Sequence, residues 1–101
     1  MTMETRQQHE PAARWLLNKP VPITKAFLEG WQRSVRSHFD PSDIPTLLDL
    51  LVGDDAELSY QSMAALRALG AVVWVDEADD RVWDVRLPDG SALQLGPAAR
   101  P

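Results

Sequence analysis

The side chains able to do chemistry in this 101-residue chain are few and scattered. Of the two histidines, His9 lies in a polar N-terminal stretch and His38 ends a helical pattern. Neither stands in a motif with a serine or carboxylate that would make it a general base. A helix C-terminus also favours a basic residue through the backbone dipole, which accounts for His38 without catalysis. Ser59 and Ser62 fall inside a predicted helix with no sharp strand-to-helix turn to expose a nucleophile. The run Asp76, Glu77, Asp79 and Asp80 offers carboxylates to a hard cation, but it lacks the glycine and the distal glutamate of a calcium loop. A solvated turn that discourages sheet-edge aggregation explains it more simply. There is no glycine-rich phosphate loop and no cysteine, which excludes disulfides and thiolate metal sites. The expectation is a non-enzymatic protein with no cofactor, no metal and no catalytic residue.

The elements that position these groups are legible from periodicity. Residues 54–70 read as a helix, with Asp54 as N-cap, Glu57 as its capping-box partner and Gly70 as its stop. Leu58, Ser62, Ala65, Leu66 and Leu69 make its buried stripe, leaving Glu57, Tyr60, Gln61, Ala64, Arg67 and Ala68 to solvent. Upstream, residues 22–39 form a first long helix whose ridge is Ile23, Phe27, Trp31, Val35 and Phe39. A short second helix follows Asp40-Pro41-Ser42-Asp43, with Ser42 or Asp43 as N-cap and Ile44, Leu47, Leu48 and Leu51 facing inward. Residues 1–21 read as a flexible arm with a short apolar anchor at Ala12, Trp15 and Leu16, closed by Pro20 and Pro22. Residues 22–96 make one globular domain and 97–101 a disordered tail.

The segment after Gly70 reads as a β-meander. An even-length turn around Ala78-Asp79 sets Trp74 opposite Trp83, Val72 opposite Val85 and Asp76 opposite Arg81. Leu87-Pro88-Asp89-Gly90 is a second turn, in which Pro88 presets φ and Gly90 takes the left-handed position. It places Leu93 across from Val85 and Leu95 across from Trp83. The inner face is then Val72, Trp74, Trp83, Val85, Leu87, Leu93 and Leu95. Val73, Val75 and Val82 fall on the other face, where a two-layer domain shows polar groups to water. Their cover is expected to be the arm, a helix, or a partner, including a second copy of the chain.

Charge is divided unevenly. Residues 1–39 hold six cations and three anions, whereas residues 40–101 hold four cations and twelve anions. The acidic half includes the hairpin tip, so a partner meeting it should be basic. No apolar run approaches the roughly 20 residues of a membrane span, and the N-terminal residues lack the apolar core of a secretory signal. With no cysteine, the expected location is cytoplasmic.

The order helix, short helix, helix, hairpin resembles a winged-helix domain. The resemblance rests on residues 44–87, above all on Leu66-Arg67-Ala68-Leu69-Gly70-Ala71-Val72 running into a hairpin that returns through Arg81 and Val82. It implies a third helix that reads the major groove and a wing that touches phosphates, although winged helices also serve as protein-binding modules. Here the wing tip is acidic and would repel a phosphate backbone. Residues 44–69 also resemble one helical hairpin of the HEAT type, but a single unit cannot stack into a solenoid.

The expected fold is therefore α+β, three helices followed by a three-stranded antiparallel C-terminal β-meander, winged-helix-like. The expected function is protein–protein interaction by a small regulatory module, through Val73, Val75, Val82, Asp76, Glu77, Asp79 and Asp80. The alternative is a winged-helix nucleic-acid binder that uses Lys25, Arg33, Arg36 and Arg67 instead of its wing.

Overall fold

A computed structural model describes residues 2–79 and 81–96, with side chains from His9 onward. Four helices precede the sheet: α1 (Thr2–Asn18), α2 (Lys25–His38), α3 (Ile44–Leu51) and α4 (Ala56–Ala68). Strands β1 (Val72–Val75), β2 (Trp83–Arg86) and β3 (Ala92–Leu95) follow as one antiparallel sheet in the order β1-β2-β3. The fold is α+β with its meander at the C-terminal end. No described helix is long and apolar enough to cross a membrane. The expected tail, 97–101, lies outside the described residues.

The N-terminal arm is the first correction. Residues 2–18 form a 17-residue helix that packs on α3 and α4, adding a fourth helix to the three expected. Its anchor is as read, with Ala12 and Leu16 buried and Trp15 partly so. His9 stands on this helix, where its Nε2 lies 3.0 Å from the Asp49 carboxylate of α3. Periodicity underestimated the helix because its first turns are polar.

Gln61, expected to face solvent, is 2% exposed. Its Oε1 accepts the Val21 amide at 2.9 Å, and its Nε2 donates to the carbonyls of Leu16 (2.9 Å) and Lys19 (3.1 Å). The Trp31 indole donates to the same Lys19 carbonyl at 2.6 Å. Leu16 O also takes the Lys19 amide at 3.3 Å and Lys19 lies just past α1, so this amide completes the helix end from another element. Ala68, also expected outside, is buried about two turns further along α4.

The ridge of α2 is buried only in its C-terminal part, at Trp31, Val35 and Phe39, while Ile23 and Phe27 face solvent. Ile23 precedes α2, and within the helix a four-residue step overshoots a 3.6-residue turn by about 40°, so Phe27 is turned roughly 80° from Val35. Asp40 caps a short 3₁₀ turn, Pro41–Asp43, in a reciprocal capping box with Asp43, and α3 follows at once. The cap of α4 is Asp55 rather than Asp54, its carboxylate accepting from the amides of Glu57 and Leu58. Helix α4 ends as read. The Ala71 amide reaches back to Leu66 O and the Gly70 amide to Arg67 O, with Gly70 at φ +103°.

The first hairpin is shifted by one residue from the expected register. The pairs are Val72 with Arg86, Val73 with Val85, Trp74 with Asp84 and Val75 with Trp83. The ladder closes between Asp76 and Val82 (N···O 2.9 Å) instead of at a two-residue turn. Beyond that bond the loop is folded by carboxylates: Asp76 accepts the Ala78 amide and Asp79 the Arg81 amide. Such side-chain turns leave no trace in apolar alternation. The second hairpin has the expected register, with Val85 opposite Leu93 and Trp83 opposite Leu95.

A one-residue slip exchanges faces. Val73 and Val85 are each 1% exposed in the core, with Trp83, Leu87, Leu93 and Leu95 packed around them. Val72 and Trp74, expected inside, lie on the outer face and are 53% and 42% exposed. Trp74→Ala should therefore cost under about 1 kcal/mol, while Trp83→Ala should cost about 3 kcal/mol. Urea midpoints of the two variants will separate them, and equal shifts would contradict this register. Gln61→Leu fills the same volume but leaves the Val21 amide unpaired, while Leu16 O keeps the Lys19 amide and Lys19 O keeps Trp31. It should destabilise by about 1–3 kcal/mol and accelerate hydrogen exchange of the Val21 amide.

Candidate functional site

The residues expected to meet a partner divide between two places. Val73 is spent in the core, Val75 is 40% exposed at the end of β1, and Val82 is half-buried on the opposite side. They do not form one face, because the observed register puts Val73 and Val75 inward and Val82 outward. The protein's own helices cover Val73, so no partner is needed there.

The outer face of the sheet carries the acidic residues instead. Trp74 sits directly across from Asp84, and Asp84 across from Gln94. Asp76 follows Trp74 on the same face, two residues along β1. The Gln94 amide donates to both carboxylates, at 3.1 Å to Asp76 Oδ2 and 3.0 Å to Asp84 Oδ1. A neutral amide thus ties two anions together beside an exposed indole. Neither carboxylate has an ion-pair partner among the described residues. Arg86 lies at the far end of this face, opposite Val72.

At the tip, Glu77 is exposed, and Asp79 is engaged by the Arg81 guanidinium, with Nε at 3.2 Å and Nη2 at 3.3 Å. Asp80 lies outside the described residues. The side-chain bonds from Arg81, then its backbone amide, hold the Asp79 carboxyl below its ordinary value. The Ser91 hydroxyl and amide do the same for Asp89 in the second turn, and Ser42 does so for Asp40. Asp79 therefore keeps its charge further into acid than an ordinary aspartate. Among the described residues, no three His, Asp or Glu side chains gather as a metal site would require.

The four cations of the alternative reading do not converge. The Arg36 guanidinium donates to the Ala68 carbonyl at the end of α4 (3.3 Å). Arg67 donates to the Val73 carbonyl through Nε (3.2 Å) and Nη2 (2.6 Å). Lys25 opens α2 at the surface. Arg33 lines a separate cleft with Lys19, His38 and Trp15, which sequence spacing did not bring together. Of the serines, Ser59 donates to the Leu51 carbonyl at 2.6 Å, closing α3, and Ser62 is fully buried.

Neither the family models, the curated proteins nor the solved structures contain a match to this chain. The carboxylates that fold the turns can be checked without a partner. The depressed carboxyls contribute stability that is full above the ordinary aspartate value of 3.8 and is lost as pH falls through their lower folded values. Carboxyl-carbon NMR titration should give midpoints below 3.8 for Asp40, Asp79 and Asp89. Arg81→Gln should move the Asp79 midpoint upward and leave that of Asp89 in place.

Proposed function

We propose that this protein is a small non-catalytic binding module whose acidic outer sheet face docks on a basic protein surface. One observation carries the reading: Gln94 holds Asp76 and Asp84 side by side next to exposed Trp74, and among the described residues neither carboxylate has an ion-pair partner. Two carboxylates kept close repel each other unless a positive group shares them, and an indole face adds cation–π attraction for the same group. A partner's arginine suits all three, since its planar fork bonds carboxylates and stacks on an aromatic ring. At the tip the exposed Glu77 extends the negative field and would speed encounter with such a partner, Asp79 being paired with Arg81.

The winged-helix nucleic-acid reading draws less support. Two of its four cations donate to carbonyls within the fold, and the wing it would press on phosphate is the acidic face itself.

Fluorescence anisotropy with a labelled peptide of alternating arginines provides the test. Trp74→Ala and Asp84→Asn should each weaken binding about tenfold, matching loss of a partly desolvated cation–π or charged contact. Both residues are on the surface, so the fold should persist, as circular dichroism would verify. Undiminished binding by both variants would refute the proposal. Tighter binding to random-sequence duplex than to the peptide would favour the nucleic-acid reading.

A further inference from the structure

A cleft of about 550 Å³ lies between the C-terminal end of α1 and the face of α2 that carries Gly30, Ser34 and Ser37. That is within the roughly 300–1,000 Å³ usual for small-molecule sites. Its charged lining is of one sign, from Lys19 and Arg33, with His38 adding ring nitrogens and Ser34 and Ser37 adding hydroxyls. The Lys19 ammonium stands 5.9 Å from the Trp15 ring centre, and the His38 ring stacks on Trp15 at 4.8 Å. Trp15 therefore contacts both the lysine and the histidine that line the cleft. Neither Lys19 nor Arg33 has a side-chain ion pair among the described residues.

Two further features fit an anion. Helix C-terminal carbonyls normally repel one, but those of Leu16 and Lys19 accept from the inward-lying Gln61 amide, and Lys19 O also from Trp31. Gly30, inside α2, is also unexplained by packing. A Cβ there would meet only the Arg33 guanidinium, at 3.9 Å. Glycine weakens a helix relative to alanine, so its presence costs stability while leaving the cleft floor open.

We infer that this cleft binds a small phosphate monoester, its dianion shared by Lys19 and Arg33 with Ser37 and His38 as further donors, the Ser34 hydroxyl being given to the Gly30 carbonyl. A forked guanidinium and a mobile ammonium on one dianion is a recurrent way to hold phosphate. The site is a single cleft instead of a track, because Arg36 and Arg67 are turned to backbone carbonyls. This favours a compact ligand over a nucleic-acid backbone.

Amide chemical shifts of the full chain, titrated with glycerol 3-phosphate and separately with dimethyl phosphate, test it. The monoester should shift residues 15–19 and 30–38 saturably, and the singly charged diester should bind about tenfold more weakly. Arg33→Gln and Lys19→Met should each weaken the monoester about tenfold. Gly30→Leu, which keeps both cations but fills the floor, should abolish saturable binding. Absence of saturable shifts in the unaltered protein would overturn the inference. Equal binding by Gly30→Leu would also overturn it, by showing diffuse attraction to the surface. Random-sequence duplex shifting the same amides more tightly than the monoester would replace it with nucleic-acid binding.

Discussion

The buried amide of Gln61 is the constraint on which the arrangement of the helices depends. A helix that ends inside a protein must give its last carbonyls a partner, and α1 ends against α4. Gln61 supplies donors to Leu16 and Lys19 and an acceptor for Val21, so one side chain satisfies three main-chain groups within a few residues. The Trp31 indole adds a tie from α2 to the same point. Three helices are thus fixed relative to one another by directional bonds, whereas hydrophobic contact alone tolerates sliding. Both surface features follow from that fixed geometry. The α1 end holds Lys19 over the cleft, and α4 carries the sheet whose outer face bears Trp74.

Much of this was legible in the sequence. The inward positions of α3, the stop at Gly70 and the whole second hairpin follow from apolar spacing and turn chemistry. The first hairpin did not follow, and the reason is specific. Val72-Val73-Trp74-Val75 is apolar at every position, so alternation cannot choose a face, and the decision passes to the loop. There Asp76 and Asp79 fold the chain with their own side chains, and the register moves by one. Gln61 was misplaced for a related reason. A glutamine at a helix position reads as polar and exposed unless the carbonyls awaiting it, more than 40 residues away, are already known.

The acidic character of the C-terminal half was plain from composition, but the geometry of the candidate site was not. Asp84 and Gln94 become neighbours of Trp74 only through the pairing of three strands. The cleft on the opposite charge pole joins Trp15 and Lys19 of one segment to residues 30–38 of another, with no shared periodicity to link them. Counting cations found Arg33, Arg36 and Arg67 but not their occupations, since hydrogen bonds to carbonyls depend on where chains turn.

The bonds from Arg67 to Val73 have a consequence for how the protein keeps to itself. Asp76 and Val82 form a hydrogen-bonded pair, so Val73 belongs to a pair whose main-chain groups point away from β2, toward the open margin of the sheet. An open margin is a template on which another chain can deposit a strand, and a short, wholly apolar one invites runaway cross-β growth. Here the central acceptor of that margin is taken by a guanidinium through two nitrogens. Any incoming strand would have to evict it and leave a cation unsatisfied against apolar valines. Arg67 thereby closes that acceptor to an added strand.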